Sequence, residues 1–497
     1  MKERAIIIGS GFGGLATGVR LAAKGYDVTV LESLDAPGGR AYVHRQDGFV
    51  FDGGPTIITA PFLLEELWAL CGRKLHDEID LRAIEPFYDI RFDDGDVLHY
   101  SGDPAAMRDE VRRISPADVD GYERFLELSR RIFEVGFERL GHVSFADWRT
   151  MLKVAPELVR LKSYRSVYGL VTSYVEHPKL RIALSFHPLL VGGNPFQTTS
   201  VYALIAYLER RWGVHYVMGG TGRLVDGLCD LIRGQGGQIR FNAKVAAIET
   251  EDGCVTGVRL ASGERLASRI VVSNADSATT YRKLLPAGTS RRWHPRRLKR
   301  ARYSMSLFVW YFGTDRRYDD VPHHSILLGP RYRELLDDIF KHHRLADDFS
   351  LYLHRPTATD RAMAPDGCDA FYVLSPVPHQ ASGTDWDTRA ERYRQAIEDF
   401  LAATVLPGLG AHVVSSRVMT PQDFESRLDS YQGAAFGLAP TLTQSAWFRP
   451  HNVSRDVDGL YFVGAGTHPG AGVPGVLSSA RVVDSALPDL RNSHDLP

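Results

Sequence analysis

The spacing of apolar positions changes repeatedly near the start of this chain. Ala5 to Ile8 is a continuous apolar, β-branched run, which predicts a buried strand. From Phe12 to about Lys24 the apolar residues follow a helical period, and Gly25 reads as the stop signal. Asp27 to Leu31 returns to a short strand pattern. A hairpin is expected between Gly39 and Gly53, and a second around Asp94-Gly95. Two helical segments follow, "PADVDGYERFLELSRRIFEVGFERLG" and "WRTMLKVAPELVRLKSYRSVYGLVTSYV". Gln238 to Asp276 alternates again, with turns at Asp252-Gly253 and Ser262-Gly263. Mixed strands from Ser306 to Pro376 precede a helix in "TRAERYRQAIEDFLAATVLPGL". Near the C-terminus, Leu460 to Val463 reads as a strand and a helix begins at about Val473. Strands alternating with helices predict an α/β protein.

The glycines explain the first pattern. Gly9, Gly11 and Gly14 have the G-x-G-x-x-G spacing directly after a strand and at the head of a helix. Gly9 permits the tight turn, Gly11 admits a pyrophosphate, and Gly14 lets the helix close on the strand. Ser10, Phe12 and Gly13 complete a loop whose amides face the phosphates. Glu32 ends the second strand, where a carboxylate accepts hydrogen bonds from ribose hydroxyls. Gly39-Arg40 and Gly54-Pro55-Thr56 follow, bare backbone beside a cation that suits an anionic, planar ligand. Gly464-Ala465-Gly466, with Pro474, Gly475 and Val476 at the next helix start, form a second elbow. Cofactor-binding segments are therefore expected at both ends of the chain. Only one full dinucleotide fingerprint is present, which favours a single long enclosed cofactor, FAD, over a flavin–nicotinamide pair.

Composition narrows the setting. The chain has 497 residues, 44% of them hydrophobic, enough for more than one domain. Lys plus Arg (59) nearly balance Asp plus Glu (60), which argues against nucleic acid as a partner. Cys71, Cys229, Cys254 and Cys368 are widely separated, form no metal-ligand pair, and read as free thiols in a reducing compartment. The chain enters its first strand at once, so no signal peptide is expected. No apolar run reaches the ~20 residues of a membrane-spanning helix, and a cytoplasmic location is expected.

Taken together, "IIIGSGFGGLATGVRLAAKGYDVTVLE", "DAPGGRAYV", "FDGGPTIIT", "LLVGGNPFQTTSVYALI", "GGTGRLVDGL", "SLFVWYFG", "LTQSAWFRPHN" and "VGAGTHPGAGVPGVLSSA" resemble the bacterial-type phytoene desaturases of carotenoid biosynthesis. The likeness runs from about Ala5 to Leu487, and its most specific parts are "SFHPLLVGGNPF" and "GAGTHPGAGVPGV". It implies a Rossmann-type FAD-binding domain of the glutathione-reductase and amine-oxidase kind, with a mixed-sheet substrate domain and a helical membrane-facing subdomain. Residues 1–85, 210–300 and 450–497 would form the first, 86–140 and 301–449 the second, and 141–209 the third. Val245 joins the expected cofactor contacts. The last cysteine, Cys368, lies well before the elbow, so the FAD is expected to be non-covalent.

The implied reaction takes a hydride and a proton from adjacent carbons of phytoene, the hydride going to flavin N5, toward lycopene or neurosporene. Polar candidates near this chemistry are Asp147, Arg149 and His468; no metal site is expected. With one nucleotide motif, the electron acceptor is expected to be dioxygen or a membrane quinone. Phytoene stays in the bilayer, so the protein must dock there as a peripheral protein of the cytoplasmic membrane. Two basic stretches could serve, Trp148 to Tyr174 and Arg291 to Arg302 around Trp293, with the first preferred. Two alternatives remain at this point: another flavin oxidoreductase or isomerase acting on carotenoids, and a non-catalytic prenyl carrier of related fold.

Overall fold

The computed structural model describes residues 3–145 and 148–491. A five-stranded parallel sheet runs in the order Leu460–Phe462, Ile270–Ser273, Arg4–Ile8, Asp27–Leu31, Gln238–Arg240. Its strands come from both ends and the middle of the chain. Parallel strands are buried on both faces, which is why Ala5 to Ile8 carries no polar alternation. Ala5, Ile7, Val28 and Val30 pack toward the helices. Ile6, Ile8, Leu31 and Val271 pack toward the antiparallel ribbon Val245–Glu251, Cys254–Leu260, Arg265–Ala267.

The helix Phe12–Ala23 is buried along its whole length. It lies between the sheet and the helices Thr221–Gly234 and Val473–Ala486. Glycine makes that possible. A Cβ at Gly14 would stand 2.0 Å from the Gly9 carbonyl oxygen, and one at Gly18 would stand 2.7 Å from the Ile232 side chain.

A seven-stranded sheet forms the second layer, in the order Val413–Met419, Ser306–Thr314, Asp369–Val377, Leu351–His354, His324–Leu327, Tyr88–Arg91, Val97–Tyr100. It is mixed, because His324–Leu327 pairs parallel to Tyr88–Arg91 while the other pairs are antiparallel. Ser306–Thr314 is wholly buried. Phe308, Trp310 and Phe312 face the helix Trp386–Thr404, and Leu307, Val309 and Tyr311 face the opposite way, toward Phe49 and Phe51.

Helices fill the region between Val119 and Trp212. One departure from the sequence pattern matters there. The segment expected as one helix from Trp148 to Tyr174 is two, Trp148–Arg160 and Val167–Val171. Lys162 turns the chain with φ 59°, and the Ser166 hydroxyl then accepts from the Gly169 amide at 3.0 Å to cap the second helix. No helix among the described residues is long and apolar enough to cross a membrane.

The glycine contact gives a direct test. Gly14→Ala should lower stability to chemical denaturation by about 1–3 kcal/mol through overpacking. Gly234→Ala, where a Cβ meets nothing within 4 Å, should leave the midpoint unchanged or raise it.

Candidate active site

A cavity of about 580 Å³ runs from the first glycine loop into the helical block. At one end it is lined by Gly9, Gly11, Phe12, Gly13 and Glu32. Gly9 has φ 91°, and Gly11 bridges to Gly38, so bare backbone faces the cavity. Glu32 is 4% exposed and tightly fixed. Its Oε2 accepts from the Ser10 amide at 2.8 Å and the Ser10 hydroxyl at 2.6 Å. Its Oε1 accepts from the Leu34 amide at 2.9 Å and the Ser33 hydroxyl at 3.1 Å.

Gly39, Arg40, Gly54, Pro55, Thr56 and Val245 line the stretch beyond. Arg40 is pinned by donating to the Ala435 carbonyl at 2.5 Å and the Ser430 hydroxyl at 2.9 Å. Gly464, Ala465, Pro474, Gly475 and Val476 bring in the C-terminal elbow, where the helix starts after Gly472 at φ 94°. A Cβ at Gly475 would meet the Gly470 carbonyl at 2.6 Å. Two helix N-termini thus open on the same cavity, and their dipoles favour negative charge there.

Three of the expected residues support the lining from behind. Ser10 holds Glu32, Gly14 closes the helix on the strand, and Gly466 packs against the Ser277 hydroxyl. Sequence reasoning missed the residue joining the two elbows. A Cβ on Gly13 would stand 2.7 Å from Asn274 Oδ1 and 2.9 Å from the Gly464 amide, so Asn274 sits at the crossing of both loops. Its signal was the polar "SNAD" that ends a buried strand. Asp276, two residues on, also lines the cavity; burial raises its pKa, against the pull of the Thr279 amide and Arg40.

Past the elbows the lining turns apolar, with Phe186, Leu189, Val201, Leu204, Leu208, Ile326 and Leu374 among its residues. One acid stands in this part, Glu209. The Tyr88 hydroxyl donates to its Oε1 at 2.7 Å and His187 Nε2 faces its Oε2 at 3.2 Å. All three residues are at most 1% exposed. Glu209 was legible only as an acid on an apolar helical stripe, spaced seven and four residues from Tyr202 and Ile205.

His468 lines the cavity and is buried. Facing the Leu140 carbonyl at 3.0 Å, its Nε2 must carry the proton, while Nδ1 has no partner. Burial lowers its pKa to about 4, so the ring is neutral near pH 7. Arg149 lies on the exposed side of its helix, away from the cavity lining. Asp147 falls outside the described residues. Arg449, in "RPHN", is 1% exposed and donates to the Ala465 carbonyl at 2.8 Å and the Leu438 carbonyl at 3.0 Å, bracing the elbow from behind.

The outer wall is one helix thick. Met151 and Leu158 of helix Trp148–Arg160 face the cavity. Leu152, one residue on, is 60% exposed and Val159 62%. Leu442, also in the lining, is 43% exposed. The Arg291–Arg302 stretch is built differently: Trp293 is buried, Arg297 stacks over it at 4.3 Å, and Arg292 stacks over Trp447 at 4.2 Å. Its aromatic residue serves the core rather than the surface.

Comparison with known proteins adds a family. The profile described as flavin containing amine oxidoreductase matches residues 12–483. A lycopene-forming phytoene desaturase of Pantoea ananas is 48% identical over 476 residues, 96% of this chain and 97% of that protein. A neurosporene-forming phytoene desaturase of Cereibacter sphaeroides is 48% identical over 492 residues, 98% of this chain and 95% of that protein. Among solved structures, cyclohexylamine oxidase from Brevibacterium oxydans IH-35A superposes with a TM-score of 0.62 at 16% identity, covering 99% of this chain and 100% of that one.

The buried histidines give a pH dependence. His44, His379, His451 and His468 are each lowered by burial to about 4. The unfolded chain takes up protons at these positions below about pH 6.5, and the folded chain does not until about pH 4. Stability should therefore fall as pH drops across that window. Asp52, raised by burial to about 7, acts in the opposite sense and offsets part of the loss. Denaturant midpoints measured at pH 7 and pH 5 should show the decline, and His468→Phe should make it shallower. Equal midpoints would refute it.

Proposed function

Because the chain belongs to the phytoene desaturases within the flavin-containing amine oxidoreductase family, we propose that it desaturates phytoene toward lycopene or neurosporene, using FAD. The observation that carries this reading is one continuous cavity, with two glycine elbows and Glu32 at one end and an apolar chamber at the other. FAD fits the first part. Glu32 would hold the adenosine ribose, the Phe12 helix N-terminus the pyrophosphate, and Gly464–Ala465 with the Pro474–Val476 helix start the ring system. No cysteine lies in the lining, in keeping with non-covalent FAD. Bound FAD supplies the hydride acceptor.

The chain's own residues do the rest. The chamber walls align the polyene and exclude water. Glu209 is the group we assign to the proton released from the substrate: it lines the chamber, with the Tyr88 hydroxyl donating to Oε1 and the His187 Nε2 proton directed at Oε2. His468, neutral and tied to Leu140, shapes the passage between elbow and chamber. The single nucleotide motif favours dioxygen or a quinone over NAD(P)⁺ as the final oxidant. Purified holoprotein given phytoene in liposomes with FAD and an oxidant, without NAD(P)⁺, should yield products with added double bonds. A product with the same number of double bonds would favour an isomerase, and an absolute need for NAD⁺ would overturn the oxidant assignment. Glu209→Gln should keep FAD and lose turnover by about a hundredfold or more.

We further propose that helix Trp148–Arg160 lies on the membrane and passes the polyene inward. Leu152 and Val159 would enter the interface, with Lys153 and Arg160 meeting anionic lipid at about 1 kcal/mol each. Lys153→Glu with Arg160→Glu should release the protein from anionic liposomes in flotation and stop turnover of membrane phytoene, with FAD still bound. A double variant that floats and turns over would move the docking surface elsewhere.

A further inference from the structure

Behind the cavity wall lies a cluster that the desaturase reading does not use. His324 and His354 sit opposite each other on adjacent antiparallel strands, and His323 precedes the first. The three are 1%, 0% and 5% exposed. Each offers a ring nitrogen, and these nitrogens lie within 4.8 Å of one another. Nδ1 of His324 and Nδ1 of His354 are 3.4 Å apart.

The hydrogen bonding is incomplete in a particular way. His323 Nδ1 pairs with the Thr359 hydroxyl at 2.7 Å, and His324 Nδ1 with the Tyr352 hydroxyl at 2.8 Å. Nε2 of all three rings is buried without any partner. A buried polar atom left unpaired costs about 1–3 kcal/mol, and a fold rarely leaves three together. A hydroxyl partner on the second nitrogen is also what orients a metal-bound imidazole.

The charged groups around the cluster are of both signs: Arg355 acts on His323, while Asp52 and Asp360 act on its neighbour Tyr216. Tyr216, whose ring packs 4.7 Å from His323 and whose hydroxyl has no partner, feels the field of Asp52 and Asp360. Asp52 is 2% exposed, and neither of its carboxylate oxygens completes a hydrogen bond; the Thr221 and Gly222 amides face it outside full geometry.

We propose that His323, His324 and His354 form a site for a divalent transition metal of the zinc class. Three neutral imidazoles with no thiolate in the set suit such borderline ions and not calcium or magnesium. Binding draws the widest ring nitrogens inward and leaves a further position for an oxygen donor. The metal would stiffen the sheet behind the cavity, because Tyr352, hydrogen-bonded to His324, also meets the Thr56 hydroxyl at 3.1 Å. The assignment is independent of the substrate.

The test uses tag-free holoprotein, stripped with a chelator, dialysed against zinc and passed through gel filtration. Wild type should retain stoichiometric zinc by mass spectrometry; His323→Gln and His354→Gln should lose it while keeping FAD. Wild type that retains no zinc, or variants that retain as much, overturn the site. Zinc-edge X-ray absorption on wild type decides the matter even if the variants fail to fold. Imidazole scattering at about 2.0–2.1 Å supports the site, and sulfur at about 2.3 Å or an oxygen-only shell overturns it.

Discussion

Everything in this structure depends on how closely one helix approaches one strand. Helix Phe12–Ala23 has no side chain between its first turn and the Gly9 carbonyl, because Gly13 and Gly14 supply none. That approach lets Asn274 reach across to the first elbow and lets Gly464 arrive from the far end of the chain. The cavity exists because three backbone segments converge there without side chains in the way. Arg449 and Ser10 then act from behind, one on the Ala465 carbonyl and one on the Glu32 carboxylate.

Polar and apolar demands are separated along the cavity. The nucleotide end is rich in amide donors and fixed charge. The chamber end has Glu209 among hydrocarbon walls, with partners on both oxygens. A carboxylate so placed is expensive to bury without those partners. Their presence, in residues brought together from a strand, a short turn and a helix, marks the group as built rather than incidental.

The nucleotide half was readable because its signals are local. Arg4 through Glu32 spans one strand, one helix and one strand, and the role expected of each residue follows from spacing. The mixed sheet was readable only as a set of strands, since which strand neighbours which depends on contacts far apart in sequence. Glu209 and Asn274 were hidden for the same reason: each acquires meaning only beside residues distant along the chain. The histidine cluster is the clearest case. In the sequence His323-His324 is an isolated dipeptide, and His354 joins it only through the register of an antiparallel pair. The break at Lys162 was missed because a left-handed residue other than glycine leaves no mark in apolar periodicity.

The one-helix wall has a kinetic consequence. Met151 and Leu158 face the chamber while Leu152 and Val159 face outward on the same turns. If that outward face rests on lipid, a polyene moves between bilayer and chamber without meeting bulk water. The encounter is then two-dimensional. Turnover would follow the mole fraction of substrate in the lipid rather than its amount per volume of buffer, so adding empty bilayer dilutes the reaction and adding water does not. A half-finished product would stay in the same lipid phase as fresh substrate and compete with it for re-entry, and the bilayer's composition would help set where the desaturation series stops.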